Sequence, residues 1–212
     1  MTMERTMHTA IQLIFDPQHD THRAQEVERV WRMKTGGGDG TQTQGALGLR
    51  HSDDKVLVLL NGPHTASQRW IQFEVMRAFI RGTPIVVVDV SCLRDERKLR
   101  AMRGRNPLDL LSAEAEAQTL WLKEFNPVTL KWQAARASSS VPRYAVPYPM
   151  DGNGPWLLSS IFPIYRWTED WGERNLLAWI DEALSATQSA AQDAPPALVA
   201  AAASSPARFA VA

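Results

Sequence analysis

The sequence has few features that would cross-link the chain or attach it to a membrane or nucleic acid. It contains one cysteine, Cys92, which excludes an internal disulfide and a cysteine-based zinc site. No apolar run approaches the ~18 residues that a membrane span needs, and residues 1–9 lack the apolar stretch of a signal peptide. The 23 basic and 23 acidic side chains cancel, so no basic excess favours nucleic acid or an anionic membrane. We therefore expect a soluble, cytoplasmic protein with no nucleic-acid or membrane partner.

Two shifts in composition divide the 212 residues. The segment from Lys34 to Asp54 is rich in glycine and predicts a flexible loop. From Ser185 to Ala212, 12 of 28 residues are alanine and three are proline, which predicts a low-complexity, mostly disordered tail. These shifts suggest one domain over about residues 8–184 and a tail over 185–212.

Between these segments, apolar strand-length runs alternate with amphipathic helical patterns. The runs are continuous rather than alternating, which is typical of strands buried on both faces of a parallel sheet. Alternation of strand and helix favours right-handed crossovers and a doubly wound, mostly parallel α/β fold. The predicted strands are 10–15, 56–60 and 85–90, and the predicted helices are 20–33 and 67–81.

The second half of the chain is harder to interpret. A further helix is predicted from Ala113 to Phe125, and Ser138 to Pro163 is expected to form a long excursion rich in Pro, Ser and Gly. A last helix is predicted from Glu173 to Ala186, because leucine and isoleucine side chains recur on one of its faces.

A doubly wound sheet binds its ligand at the carboxyl ends of its strands. Phe15 and Asp16 end the first predicted strand, and Asn61 and Gly62 follow the second. We therefore expect a ligand crevice near these residues.

The helix that follows the second strand carries the most informative pair. Trp70 and Glu74 are four residues apart, so they share a helix face. A carboxylate beside packed aromatic side chains near the strand ends can have its charge tuned for chemistry. The alternative interpretation is a solvated Glu74 paired with Arg77.

A histidine and aspartate cluster lies between the first strand and helix. His19 and His22 are three residues apart and could chelate a metal together with Asp16 and Asp20. The alternative is an ordinary loop with Asp20 as the N-cap of the helix. We assign no metal site.

The central part of the sequence resembles a known family. Residues 56–90 look like the TIR-like domain of the bacterial Thoeris antiphage system, in which Trp-x-x-x-Glu on a helix follows a strand and a Thr/Ser-rich turn. Trp70 to Glu74 matches this motif, and Gly82-Thr83-Pro84 matches the turn after the helix. Weaker similarities extend over about residues 8–184. The chain departs from the wider TIR pattern at Gln68, which replaces a serine, and at Phe15-Asp16.

The resemblance implies a TIR-like, flavodoxin-like fold and an enzyme that cleaves NAD between nicotinamide and ribose. One carboxylate suffices for this chemistry, because nicotinamide leaves NAD as a neutral molecule and needs no general acid. Glu74 is then the catalytic residue. Substrate-binding roles are expected for Phe15, Asp16, Asn61, Ser67 and Trp70. NAD is the substrate, and no separate cofactor or metal is implied.

The implied product is ADP-ribose or a cyclic ADP-ribose-type signal, sensed by a downstream effector in antiviral defence. The resemblance also implies a homo-oligomer, for which the Gly-rich loop 36–48 is the expected contact. Two alternatives stay open: a catalytically silent TIR-like interaction module, and a nucleotide-binding receiver-like or flavodoxin-like domain.

Overall fold

The computed structural model describes residues 10–36, 41–44 and 55–192, with the backbone alone at 41–44 and 190–192. Within these residues no helix is long and apolar enough to cross a membrane. The strands in chain order are β1 Ala10–Ile14, β2 Thr41–Gln44, β3 Lys55–Asn61, β4 Ile85–Asp89, β5 Leu111–Glu116, β6 Thr119–Asn126, β7 Lys131–Ala134, β8 Ser140–Pro142, β9 Trp156–Leu157 and β10 Ile164–Arg166. The α-helices are α1 Thr21–Thr35, α2 Arg69–Ile80, α3 Leu158–Ile161 and α4 Gly172–Gln192.

Five strands form a parallel sheet in the order β2-β1-β3-β4-β10. The three strands predicted from sequence are neighbours, with β3 between β1 and β4, and all pairs are parallel. This spatial order, 2-1-3-4-5 within the sheet, is that of flavodoxin-like doubly wound folds. The predicted fold class is confirmed.

Both faces of this sheet are covered, which explains the continuous apolar strands. All seven residues of β3 are buried. Val58 and Leu60 pack with Trp31 of α1 and Ile180 of α4 on one face. Leu57 and Leu59 pack on the other face with side chains of α2, including Ile71, Val75 and Phe79.

A second, antiparallel sheet corrects the prediction of a helix from Ala113 to Phe125. These residues form the hairpin of β5 and β6 within a sheet of order β7-β6-β5-β9, with β8 also on β6. Leu120 and Leu122 are buried and join the core cluster of α2. The expected excursion from Ser138 to Pro163 contains β8, α3 and β9 and is therefore partly regular.

Two segment boundaries also differ from the prediction. The glycine-rich stretch from Lys34 to Asp54 is not a continuous loop, because α1 continues to Thr35 and β2 pairs with β1. Gly36 ends α1 with a left-handed φ of 76°. At the other end, α4 continues to Gln192, six residues beyond the predicted end at Ala186. The rest of the loop, 37–40 and 45–54, and residues 193–212 of the predicted tail lie outside the described residues.

Candidate functional site

The candidate site lies where the carboxyl ends of β1 and β3 meet. These two strands are direct neighbours, and β2 flanks β1 while β4 flanks β3. The connection from β1 leads to β2 on one side, whereas the connection from β3 leads to β4 on the other side. This point is therefore the topological switch point of the sheet. Phe15-Asp16 and Asn61-Gly62 leave the sheet at this point, as the sequence predicts.

Asp16 is the centre of a hydrogen-bond cluster at this edge. Its carboxylate is buried and accepts from the backbone N–H of Gln18 at 3.0 Å, from His19 Nδ1 at 2.7 Å and from Gln68 Nε2 at 3.1 Å. Gln68 directly precedes α2, so its bond to Asp16 links the end of β1 to the start of the helix that carries Glu74. The residue that departs from the TIR pattern thus has a defined structural partner.

Two neighbouring polar side chains are buried without full hydrogen bonding. Asn61 and Asp20 are both 0% exposed. Among the described residues, Asn61 Oδ1 and Nδ2 and Asp20 Oδ2 have no hydrogen-bond partner. Each such group costs about 1–3 kcal/mol. Local costs of this kind concentrate at functional sites, which supports placing the site at this edge.

Asp20 was considered from sequence as a possible metal ligand and, alternatively, as a helix cap. It occupies the N-cap position of α1, but its side chain makes no capping hydrogen bond. Instead Asp20 Oδ1 accepts from Arg23 Nη1 at 2.7 Å, with both side chains buried. Burial raises the pKa of Asp20, and the bond from Arg23 opposes this effect. In the described part of the chain no group of three or more His, Cys, Asp or Glu residues could hold a metal.

Glu74 lies near the middle of α2 and is 7% exposed. Its Oε1 accepts from Arg77 Nη1 at 2.9 Å. The predicted pairing with Arg77 is therefore present, but the carboxylate is buried rather than solvated. Trp70, one turn earlier, is half-buried and packs against the core cluster on this face of the sheet. Glu74 follows Gln68 by six residues, so it lies roughly 9 Å farther along the helix axis.

Two other predicted site residues have structural partners of their own. Phe15 is 4% exposed and packs in the core between the sheet and α1. Ser67 ends a short 3-10 turn, Thr65–Ser67, and its hydroxyl donates to the His64 carbonyl at 2.7 Å. His64 in turn contacts the ring of His19, with centroids 4.3 Å apart. The sequence grouped His19 with Asp16 but did not predict the contacts of Gln68 with Asp16 or of His64 with His19, because these partners come from separate elements.

Comparison with known proteins finds a similarity for the part of the chain that forms this edge of the sheet. Residues 15–95 match the family model described as "Thoeris protein ThsB, TIR-like domain". This stretch of the chain is similar to a Thoeris TIR-like domain. It contains Asp16, Asn61, Trp70 and Glu74, whereas the antiparallel sheet and α4 lie beyond the match.

A relative supports the same assignment over a longer stretch. A protein of Bacillus cereus (strain MSX-D12) named "Putative cyclic ADP-D-ribose synthase ThsB1" is 22% identical to this chain over 137 residues. The match covers 61% of this chain and 68% of the relative. It therefore extends beyond the matched TIR-like domain, which spans residues 15–95.

Proposed function

We propose that this chain is an NAD-consuming enzyme that cleaves the bond between nicotinamide and ribose. The observation that carries the proposal is a buried carboxylate, Glu74, on the Trp-x-x-x-Glu helix of a Thoeris TIR-like domain. The name of the Bacillus cereus relative, which describes a cyclic ADP-D-ribose synthase, is consistent with NAD as the substrate class.

The chemistry requires negative charge where positive charge develops. As nicotinamide departs with the bonding electron pair, it becomes neutral and the ribose becomes an oxocarbenium-like cation. A carboxylate in a site of low dielectric stabilises that cation more strongly than one in water. Glu74 is assigned this role, and its bond to Arg77 fixes the orientation of the carboxylate.

The neighbouring residues are assigned to substrate binding. Trp70 walls the site beside Glu74 on the same helix face. Asn61 offers amide groups with no partner among the described residues, and Asp16 anchors the polar cluster at the strand ends. Phe15 supports this edge from within the core, and Ser67 shapes the turn before α2.

The ribosyl cation then has two fates. Attack by water, with loss of a proton to solvent, gives ADP-ribose. Attack by a nucleophile of the same molecule gives a cyclic product that contains one water fewer. In a Thoeris setting either product acts as a signal for a downstream effector in antiphage defence.

A second candidate function is a catalytically silent TIR-like interaction module. The observation that favours it is the ion pair of Glu74 with Arg77, because a structural ion pair also explains why a carboxylate is buried. A measurement of NAD cleavage distinguishes the enzyme from the interaction module.

The test is incubation of the purified full chain with NAD, with and without lysate of phage-infected cells, followed by mass identification of the products. We expect nicotinamide together with ADP-ribose or its dehydrated cyclic isomer. The Glu74→Gln variant in the same lysate controls for NAD-consuming enzymes of the host. If wild type and variant release equal nicotinamide in both conditions, the enzyme proposal is wrong and the interaction module is favoured.

A further inference from the structure

A cavity lies away from the candidate site. It has a volume of about 520 Å³ and opens beside the edge strand β10, between α4 and the segment 148–163. Ile85 and Val86, at the amino end of β4, contribute to its lining. The candidate site lies at the carboxyl ends of β1 and β3, and none of its predicted residues lines this cavity. A volume of this size suits a small organic molecule.

Aromatic rings form the walls, and their mutual packing holds them in place. Tyr165 stacks on Trp179 with ring centroids 4.5 Å apart and planes inclined by 9°. Tyr148 and Phe162 meet edge to face at 4.8 Å. Trp156 adds a fifth ring to the lining. The rings are held in place before any ligand binds, so binding costs little side-chain conformational entropy.

The charge of the lining has one sign. Asp151 and Glu182 contribute carboxylates, and no Lys or Arg occurs among the lining residues in the described part of the chain. Tyr165 donates its hydroxyl to Glu182 Oε2 at 2.9 Å, which places this carboxylate at the aromatic wall. Burial, together with Glu182, raises the pKa of Tyr165 to about 12, so the phenol stays a neutral donor.

The aromatic walls are also suited to contact with a cation. The guanidinium of Arg143 lies 5.9 Å from the centroid of the Trp156 ring, and the same group donates to the carbonyls of Met150 and Gly152. Arg143 does not line the cavity, and it already uses one face of Trp156, which leaves the other rings of the lining for a bound cation. Such contacts contribute about 0.5–2 kcal/mol each.

We propose that this cavity is a second binding site, for a small organic cation with a flat apolar body. The apolar body packs between Trp156 and the stacked pair of Tyr165 and Trp179, and the ammonium group faces Asp151 and Glu182. The site does not depend on NAD turnover, because it shares no predicted residue with the candidate active site.

The test compares two probes that have the same ring and opposite charge. Tryptamine and indole-3-acetate are titrated into the full chain by isothermal calorimetry. We expect saturable one-to-one binding of tryptamine with a Kd below about 1 mM, at least about tenfold tighter than indole-3-acetate.

Variants then locate the binding. In the double variant Asp151→Asn, Glu182→Gln the preference for tryptamine is expected to disappear, and both side chains are exposed, so folding is retained. The control Glu173→Gln removes an exposed carboxylate from the same helix outside the cavity and keeps the preference. Absence of saturable tryptamine binding, equal affinity for the two probes, or an unchanged preference in the double variant would each overturn the proposal.

Discussion

In the turn after β3, the atoms around Gly62 leave no space for a side chain at this position. A Cβ on Gly62 would lie 2.0 Å from Asp20 Oδ2, and a Cβ on Gly104 would lie 2.1 Å from the Gly62 carbonyl oxygen. The backbone at Gly62 therefore approaches the buried carboxylate of Asp20 more closely than a residue with a Cβ would allow. This packing fixes the position of Asn61, the preceding residue in the candidate site.

The Gly62→Ala variant is expected to lose about 1–3 kcal/mol of unfolding free energy, because overpacking forces backbone or side chains to shift. Urea denaturation measures the loss. In an Asp20→Ala background the carboxylate that the new Cβ meets is gone, so the same substitution should cost clearly less. Equal costs in both backgrounds would show that this close approach does not determine the stability of the turn.

Candidate site residues on the sheet could be proposed from sequence only where the ends of the strands could be recognised. Asp16 and Asn61 were proposed as site residues because they follow strong apolar runs, and Glu74 because Trp-x-x-x-Glu is a recognisable motif. The bond between Gln68 and Asp16 joins residues 52 positions apart, so no local pattern signals it. The pairing of Glu74 with Arg77 was foreseen from helical spacing, but its burial depends on tertiary packing.

At the scale of elements, the hairpin of β5 and β6 shows tertiary context overriding local propensity. Residues 113–125 are rich in Ala, Glu, Leu and Lys, which favour helix. The alternation of side chains nevertheless has a period of two, with Leu120 and Leu122 buried and Trp121 41% exposed. The buried face covers α2, and that burial outweighs helix propensities of less than about 1 kcal/mol per residue.

Neighbouring substitutions on β6 test this arrangement. Leu120→Ala is expected to cost about 2–5 kcal/mol of unfolding free energy, because it opens a cavity in the core. Trp121→Ala removes a larger side chain from the opposite, exposed face and should cost less than Leu120→Ala. Thermal or urea unfolding of both variants gives the comparison, and a larger loss in Trp121→Ala would contradict the strand assignment.

At the scale of the whole molecule, the parallel sheet was the most predictable part of the fold. Continuous apolar strands and amphipathic helices define β1, β3, β4, α1 and α2, and the crossover rule then makes those strands neighbours. The short strands β2 and β10 have four and three residues, too few for a clear pattern. The antiparallel sheet was missed because its strands were interpreted as a helix and a loop.

Oligomerisation, which the family resemblance implies, is a property of the whole molecule that can be tested in solution. If a neighbouring copy completes the active site, as the family resemblance implies, NAD turnover per chain should fall on dilution below the dissociation constant of the oligomer. Activity assays over a range of protein concentrations, with sedimentation velocity at the same concentrations, measure this. A constant turnover per chain by a monomer would rule out a shared site.

The central claim, that Glu74 supplies the negative charge that stabilises the ribosyl cation, is tested most directly on the two partners of one ion pair. Nicotinamide release is measured for Glu74→Gln and Arg77→Gln, with the melting temperature of each variant. Loss of the carboxylate is expected to lower the rate by about 10²–10³, whereas Arg77→Gln keeps the carboxylate and stays within about tenfold of wild type. Equal rates for folded Glu74→Gln and Arg77→Gln variants would contradict the claim, because the pair would then act only through structure.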